Sequence, residues 1–521
     1  MIDRASRVEA TPSRRWGSVS PILGAMVAVK LALPLLNAAP FGYFRDELYY
    51  LVCGLRPDWG YVDHPAMAPL LAVGGWKLFG EMLYGLRFFP AVFGAAVMVL
   101  TALMARRLGA GAFGQSLAAL LVLTAPFYLV IGSKLSTDSF EVLFWTALAY
   151  IALRMVQEND PRLWLWFGLA GGLGLHAKHS VVFFAFALVA GIAISSRRRL
   201  LSSPWLLAGG ATALLVFLPN LLWQWQHGWP TLELLENIRE SDKNVVLNPL
   251  EYFGEQIFLL GPFAFPLWLA GLAWLLRGRD DKGYRALGFS YLVAFAVIVL
   301  LKGKSYYLGP AYPILFAAGA LAVERWTSRR GWGWLRWGYA ALIVAGTLLI
   351  LPIGVPLMSP ERTAGWQRTL GISPSPTERS HTSELPQNLS DRLGWEEMVA
   401  SIARVYHALP EEDRSRAGVF AQNFGEAGAI DILGRKHGLP PALSGHQNYF
   451  LWGPRGYRGE ALVVLDDEPN TLEQLCGSVE YAGPAGSHPQ AMPYEQSMGI
   501  YVCRDLVQPL AELWPQVKKW R

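Results

Sequence analysis

The sequence predicts a polytopic α-helical membrane protein of about eleven spans, followed by a C-terminal soluble α/β domain. Hydrophobic residues make up 53% of the 521 residues and charged residues only 16%, well below the roughly 25% usual in soluble domains. The charges are sparse between positions 20 and 355 and ordinary in density from about position 360 onward. This asymmetry indicates a membrane region followed by a water-soluble one.

The membrane region is predicted from apolar stretches close to the roughly 20 residues that a spanning helix needs. The candidate spans are residues 20–40, 83–105, 115–132, 136–153, 162–177, 180–196, 204–222, 255–276, 286–301, 307–323 and 337–357. The first of them follows an arginine-bearing N-terminus without a small-residue cleavage site. We therefore interpret it as a retained span and not as a signal peptide.

The basic residues test this count independently, because cytoplasmic loops carry an excess of lysine and arginine. With the N-terminus taken as cytoplasmic, every tight basic cluster of the membrane region falls on the cytoplasmic side. These clusters lie at residues 106–107, 154–162, 197–199, 277–285 and 325–336. The same rule explains the net charge of +5 without a nucleic-acid partner. An odd number of spans places the C-terminus outside the cytoplasm, so we expect a multi-pass protein of a bacterial inner membrane.

The predicted organisation is a cytoplasmic N-terminus (1–19), a transmembrane domain (20–357), a linker (358–390) and an extracytoplasmic α/β domain (391–521). In the last region, residues 394–409 are typical of an amphipathic helix, and residues 417–421 and 461–465 of short buried strands. Its sequence contains no glycine-rich phosphate loop and no metal-spaced set of cysteines and histidines. Cys476 and Cys503 could form a disulfide outside the cytoplasm, but two unpaired, partly buried thiols fit the sequence at least as well.

The loop after the first span begins with two adjacent acids, Asp46 and Glu47, at a helix end, and continues through Asp63 and His64. Adjacent carboxylates at a membrane surface cost desolvation energy unless they are paired or needed. One of them could accept the proton of an incoming hydroxyl while its neighbour holds it in place. The alternative is a pair of solvated charges at a helix end, balanced by Arg45.

Further candidates fall on the same outer side. Asp138 stands near the start of the fourth predicted span, where an aspartate also fits the role of an N-cap. Lys178 follows the fifth span between His176 and His179. A lysine can extend to the interface with no further purpose, but three potential cations at membrane depth favour an anion site.

The outer loop before the tenth span carries Lys302 and Lys304 against the usual charge bias, which a negatively charged ligand at the outer leaflet would explain. Tyr306 and Tyr307 follow directly, and each is also typical of the aromatic belt at a membrane interface. The outer face thus offers carboxylates to activate a nucleophile and cations to hold a phosphate leaving group. This combination is suited to displacing a lipid-bound phosphate.

In this order and on this side of the membrane, the residues resemble glycosyltransferase family 39, the protein mannosyltransferase and aminoarabinose transferase superfamily, whose members have the multi-span GT-C fold. The resemblance rests on the acidic pair within 43–50, the element 61–65, the glycine- and leucine-containing turn 172–178 that ends in lysine, Asp138, and the basic, tyrosine-bearing loop 302–307. It covers about residues 20–325. The chain departs from the family pattern at Ala66, usually a second proline, and at His64, which is lysine in the aminoarabinose branch.

The resemblance implies a polyprenyl-phosphate sugar as donor, and its transfer with inversion to an acceptor hydroxyl on a protein, a lipid or a glycan. It implies Asp46 as the general base and Glu47 as its positioning partner. The donor phosphate would be held by His64, Lys178, Lys302 and Lys304, with Asp63, Asp138, His179 and Tyr306 in support. No cofactor is certain from it, and a divalent metal ion at Asp46 and Glu47 stays open.

Two other classes of protein fit parts of the sequence. A transporter or flippase for a lipid-linked anionic sugar would place its polar residues and broken helices near mid-membrane, whereas here the polar residues lie at the ends of the spans. A membrane scaffold with an extracytoplasmic binding domain accounts for the C-terminal half but not for the outer acids and lysines. An enzyme is therefore the favoured function.

Overall fold

The structure is a computed structural model that describes residues 20–36, 41–241, 245–277, 282–373, 383–466 and 471–520. Three parts of the sequence-based prediction lie outside the described residues. These are the cytoplasmic N-terminus, part of the linker (374–382) and part of the basic loop at 277–285.

Helices fill the predicted membrane region, since a helix satisfies its own backbone groups where water is absent. They are α1 (Ile22–Ala32), α2 (Arg45–Leu55), α3 (Met67–Leu78), α4 (Leu83–Leu86), α5 (Phe88–Leu108), α6 (Ala112–Thr124), α7 (Pro126–Gly132), α8 (Thr137–Glu158), α9 (Leu163–Ala177), α10 (Val181–Ala193), α11 (Pro204–Gln226), α12 (Pro230–Glu240), α13 (Pro249–Leu260), α14 (Phe265–Arg277), α15 (Arg285–Leu300), α16 (Pro313–Arg330) and α17 (Gly333–Gly354). Each predicted span coincides with one of these helices or with a bent pair of them.

Among the described residues, four helices are long and apolar enough to cross a membrane, or up to seven if each bent pair is one span. The count of about eleven stays a prediction, although four shorter apolar helices lie at further predicted spans.

Three of the predicted spans are bent, which the hydropathy pattern did not indicate. The helix axis turns by 60° between α6 and α7, by 101° after α13, and by 58° before α16. A proline opens the segment after each bend, at Pro126, Pro262 and Pro313. Proline has no N–H to donate and its ring clashes with the preceding turn, so a helix ends where it stands.

The C-terminal region combines short helices with one sheet. Its helices are α18 (Pro360–Thr369), α19 (Gln387–Ser390), α20 (Trp395–Ala408), α21 (Glu411–Arg414), α22 (Phe424–Leu433), α23 (Asn448–Leu451), α24 (Leu472–Leu475), α25 (Pro493–Gln496) and α26 (Leu510–Leu513). The strands β1 (Ala417–Phe420), β2 (Ala461–Asp466), β3 (Cys476–Pro484) and β4 (Gly499–Leu506) are arranged in the order β1-β2-β4-β3. Strand β1 is parallel to β2, and the other two pairs are antiparallel. The amphipathic helix and both strands expected here are therefore present, as α20, β1 and β2.

This region packs directly on the segment that follows the first predicted span. Leu48 and Leu51 of α2 share one buried core with Val419 of β1 and Ile430 of α22. A Cβ on Gly428 of α22 would lie 3.1 Å from the backbone of Leu48, so the two helices meet almost backbone to backbone. The α2 helix is thereby held between the membrane helices and the C-terminal region.

Cys476 and Cys503 form a disulfide between β3 and β4, which corrects the alternative of two unpaired thiols. Among the described residues, Cys53 is the free cysteine, and it is buried. The disulfide joins positions separated by 27 residues within the small sheet.

Replacing Cys476 and Cys503 with serine should lower the stability of the C-terminal region by about 3 kcal/mol, because the unfolded chain regains the conformations that the cross-link excludes. Thermal unfolding of the detergent-solubilised protein measures the effect. The unmodified chain treated with a reductant serves as the matched control and should lose the same amount. An unchanged midpoint in both samples would contradict a structural role for this bond.

Candidate active site

Glu47 is the anchored member of the acidic pair. Its side chain is fully buried, and each carboxylate oxygen accepts two hydrogen bonds. Oε1 accepts from Arg87 Nε at 2.9 Å and Leu135 N at 2.8 Å, and Oε2 from Arg87 Nη2 at 2.9 Å and Phe44 N at 2.8 Å. Burial opposes ionisation, but the charge and hydrogen bonds of Arg87 outweigh it and hold the pKa of Glu47 below its usual range. Glu47 is thus not a solvated charge, and it ties α2 to α5.

Asp46 is the accessible member of the pair. Its side chain is 26% exposed, and Oδ1 lies 3.5 Å from Arg45 Nε. That oxygen is buried and accepts no hydrogen bond within the described part of the chain. Successive residues of a helix point about 100° apart, so Asp46 and Glu47 face different surroundings. The alternative of two solvated charges assumed that Arg45 balances the acidic pair. Of the two acids, Asp46 is the one that lies beside Arg45.

The acidic pair does not fit a divalent metal ion. Both oxygens of Glu47 are taken up by hydrogen bonds, which leaves Asp46 as one carboxylate ligand, and hard cations need several oxygen ligands. Within the described ranges, no group of three or more His, Cys, Asp or Glu side chains is arranged to hold a metal. We therefore derive no chemical step through a metal at this pair.

Asp138 and Lys178 form the second polar centre. Lys178 Nζ lies 2.5 Å from Asp138 Oδ1 and 3.4 Å from Glu141 Oε2, and Ser180 donates to Glu141 at 2.5 Å. The N-cap of α8 is Ser136, so the alternative role of Asp138 as an N-cap is wrong. The ammonium group also lies 4.5 Å from the ring centre of Tyr307 and 5.9 Å from that of Tyr306.

The charges of both centres act on the phenol of Tyr50 in α2. Burial raises the pKa of Tyr50 well above its usual range, the carboxylates of Asp46, Asp63 and Asp138 raise it further, and Lys178 opposes them. Four predicted site residues therefore influence one buried hydroxyl electrostatically. They come from the segment after the first predicted span, the start of α8 and the turn after α9.

His64, which the sequence places among the phosphate-binding residues, is a buried ring in this structure. Its side chain is 2% exposed, Nδ1 lies 3.0 Å from Pro65 O, and Nε2 lies 3.8 Å from Asp63 Oδ1. The rings of Tyr49, Tyr50 and Tyr61 pack around it with centres at 5.4, 4.7 and 4.8 Å. Its phosphate-binding role stays a prediction, and the carboxylate that it faces is that of Asp63.

Asp63 is fixed by the same group of rings. Its Oδ1 accepts a hydrogen bond from Tyr49 at 2.9 Å. Burial raises the pKa of Asp63, and the neighbouring His64 and the Tyr49 hydroxyl oppose that rise. The carboxyl group thus belongs to the wall of the site.

The two histidines beside Lys178 attach the turn to α11 and do not extend an anion site. His176 Nε2 lies 2.9 Å from Val216 O, and His179 Nε2 lies 3.4 Å from Asn220 Oδ1. Burial lowers the pKa of His179 to about 4, so this ring is neutral near pH 7. The expectation of three cations at this turn is therefore corrected at His179.

The loop before α16 is held by Tyr252, whose hydroxyl donates to Lys304 O at 3.1 Å and to Ser305 O at 3.2 Å. Lys302 is exposed and adopts a left-handed backbone with φ of 54°, and Lys304 is half-buried. Through Tyr306 and Tyr307 the loop reaches Lys178. The two lysines therefore lie just before the tyrosines that contact Lys178.

Two polar neighbours of the acidic pair were not predicted from the sequence. Arg87 neutralises Glu47, and Lys134 lies with Nζ 3.6 Å from the centre of the Phe44 ring. Burial lowers the pKa of Lys134, whereas the charges of Asp46 and Asp138 oppose that change. A lysine four positions before Asp138 was a usable signal for Lys134, but no local pattern pointed to Arg87.

Comparison with known proteins supports the predicted resemblance. Residues 63–223 match the family model described as dolichyl-phosphate-mannose-protein mannosyltransferase. Lipid A galacturonosyltransferase RgtD of Rhizobium johnstonii is 27% identical over 290 residues, which is 54% of this chain and 60% of that protein. Undecaprenyl phosphate-alpha-4-amino-4-deoxy-L-arabinose arabinosyl transferase 1 of Pseudomonas fluorescens is 28% identical over 285 residues, 51% of this chain and 50% of that protein. The chain thus spans between half and three fifths of these relatives.

The fold agrees with a solved structure over nearly its whole length. The crystal structure of ArnT from Cupriavidus metallidurans in the apo state covers 92% of this chain and 97% of its own, with a TM-score of 0.59 and 13% sequence identity. At that identity the likeness concerns the fold. The predicted resemblance is confirmed, because the chain is similar in sequence to lipid A galacturonosyl-, aminoarabinosyl- and protein mannosyltransferases.

Proposed function

We propose that this protein transfers a sugar from a polyprenyl-phosphate donor to an acceptor hydroxyl on the outer face of the cytoplasmic membrane, with inversion at the anomeric carbon. One observation carries the proposal: an accessible carboxylate, Asp46, and a lysine held by two acids, Lys178, both act electrostatically on the phenol of Tyr50. The names of the relatives support it, as does a second structure of the Cupriavidus enzyme, bound to undecaprenyl phosphate. The Cys476–Cys503 disulfide supports an extracytoplasmic C-terminal region, because such bonds persist in oxidising compartments.

Asp46 is the general base in this proposal. It takes the proton of the acceptor hydroxyl while the oxygen attacks the anomeric carbon from the face opposite the phosphate. The new carbon–oxygen bond forms as the bond to the phosphate oxygen breaks, and the lipid phosphate leaves with the electron pair. Because attack and departure occur on opposite faces, the anomeric configuration inverts.

Lys178 is the cation proposed to receive the donor phosphate. An ammonium group has three N–H donors, and Asp138 and Glu141 account for two of them. The third is left for a phosphate oxygen, and the two acids hold the lysine in place. Lys302 and Lys304 at the rim would meet the phosphate as it enters from the leaflet. His64 receives the different task of orienting Asp63.

Replacing Lys178 with methionine should weaken binding of undecaprenyl phosphate by about tenfold or more, which corresponds to about 1.4 kcal/mol. The loss follows from removing a partly buried charge from the phosphate side of the site. Binding titration of the purified protein with undecaprenyl phosphate measures it. Lys77→Met, at an exposed lysine of α3, is the matched control and should bind as the unmodified chain does. Equal binding by both variants would contradict the phosphate contact.

The proposed reaction is tested with the purified protein in liposomes that contain undecaprenyl-phosphate-linked, radiolabelled sugars and candidate acceptors. We expect label in the acceptor and free undecaprenyl phosphate as the second product. The three bent spans favour the alternative of a lipid-linked sugar transporter, which would move the labelled donor between leaflets without changing it. Mass spectrometry of glycolipids and glycoproteins from cells that lack the protein then identifies the acceptor.

A further inference from the structure

The C-terminal region reaches the proposed base through a short chain of hydrogen bonds. Arg45 Nη1 donates to the hydroxyl of Tyr494 at 2.8 Å, and that hydroxyl donates to Asp391 Oδ1 at 2.6 Å. The backbone N–H of Arg45 also donates to Asp391 O at 3.0 Å. The other edge of the same guanidinium, Nε, lies 3.5 Å from Asp46 Oδ1. Arg45 therefore connects Asp46 to two residues from the far end of the chain.

Packing gives Arg45 little freedom to adopt another position. Its guanidinium carbon lies 5.3 Å from the ring centre of Phe424, and a Cβ on Gly425 would come within 2.4 Å of Arg45 Cγ. Glycine is thus required where α22 begins. The start of α22 forms a slot for the arginine stem, so α22 and Tyr494 together decide where the guanidinium points.

The charges around Arg45 explain why its direction matters. Asp391 is 2% exposed, and its Oδ2 has no hydrogen-bond partner among the described residues. Burial raises the pKa of Asp391, Asp46 raises it further, and Arg45 and Lys134 oppose them. Glu495 is also near, and burial with the neighbouring Glu426 and Asp391 raises its pKa well above the usual range.

The side of Asp46 that faces the membrane helices is charged as well. Lys134, Asp63, Tyr50 and Tyr306 all interact electrostatically with the Asp46 carboxylate. Of these groups, Lys134 is the cation besides Arg45. Two cations and several acids therefore share the surroundings of the proposed base.

We propose that Asp391, acting through Tyr494 and Arg45, is a positioning residue for Asp46, so that the C-terminal region completes the catalytic site. The inference rests on the proposed function. While Tyr494 and Asp391 hold one edge of the guanidinium, Arg45 presents Nε alone to Asp46. Released from them, the guanidinium would turn its paired N–H groups onto the carboxylate and form a two-point ion pair. A carboxylate held in that way accepts a proton poorly.

The test compares Asp391→Asn and Tyr494→Phe with the unmodified full-length protein in liposomes. We expect kcat to fall about tenfold in both variants, with the KM for the polyprenyl-phosphate sugar and the affinity for undecaprenyl phosphate changed less than about twofold. Since Arg45 then favours the ionised form of Asp46, the acid limb of the kcat/KM profile should move to lower pH, by about 0.5 unit. Adding Arg45→Lys to Tyr494→Phe should restore part of kcat, because lysine cannot form the two-point pair.

Glu480→Gln is the matched control, because Glu480 is an exposed acid of β3 that pairs with Arg504, and it should leave the profile unchanged. A loss of kcat that follows a lowered unfolding temperature, with the acid limb unmoved, would overturn the positioning role. Full activity of both variants would overturn it too. If the unmodified chain transfers no sugar with any donor, the proposed function fails and the positioning role fails with it. This result can be told apart from the two above, because in those the unmodified chain is active.

Discussion

Asp46→Asn is expected to reduce sugar transfer by about 10²- to 10⁴-fold, because an amide cannot take the proton of the acceptor hydroxyl. Asparagine has nearly the same size and fits the partly exposed position at the start of α2, so membrane insertion and binding of undecaprenyl phosphate should be unchanged. Single-turnover transfer from a polyprenyl-phosphate sugar measures the chemical step, and titration with undecaprenyl phosphate measures binding. The effect should appear in kcat and not in the affinity for the donor.

Asp58→Asn provides the control for this substitution. Asp58 lies shortly after α2, is exposed, and its side chain accepts a hydrogen bond from the backbone N–H of Trp59. It should keep full activity. Turnover of the Asp46→Asn variant within about threefold of the unmodified chain, far below the loss of a general base, would remove Asp46 from the mechanism.

The positions of the helices could be predicted because they depend on local sequence. Each apolar stretch contains a helix, and the short strands at β1 and β2 lie within one residue of their predicted bounds. The bends were missed because mean hydropathy does not distinguish a straight span from a broken one. The prolines at 126, 262 and 313 were the available signal.

The composition of the site was predicted better than the roles within it. Adjacent acids suggested that Asp46 and Glu47 act together, but the helical turn separates them and burial divides their tasks. Glu47 pairs with Arg87, 40 residues further along, and Arg45 pairs with Tyr494, 449 residues away. Contacts at such separations are made by the fold, so no periodicity or spacing in one sequence indicates them.

The predicted roles of the histidines also depended on burial, which the sequence pattern did not indicate. His64 and His179 were predicted near phosphate because a histidine at a membrane surface can carry a positive charge. Their burial, which the fold decides, leaves His64 enclosed by tyrosine rings and lowers the pKa of His179 to about 4. Lys178, Lys134 and Arg45 supply positive charge close to the acids of the site.

Glu47→Ala should be the most destabilising single change in the acidic pair. It would leave the guanidinium of Arg87 buried, with 0% exposure and no counter-charge, and breaking such a pair costs about 3–5 kcal/mol. Thermal unfolding of the solubilised protein measures the loss. Glu158→Ala, which breaks a partly exposed pair with Arg107 and Arg154, is the control and should cost at most about 1 kcal/mol.

The double variant Glu47→Leu/Arg87→Met separates the structural role of Glu47 from a chemical one. Removing both charges and filling their space with apolar side chains should recover most of the stability, because neither ion is then buried alone. The hydrogen bonds from Phe44 N and Leu135 N to the carboxylate are lost, so recovery should stop short of the unmodified chain. If Glu47 acts only by holding α2 in place, transfer activity should return with stability in the double variant. If stability returns while activity does not, Glu47 contributes to the reaction itself, and its charge is needed beside Asp46.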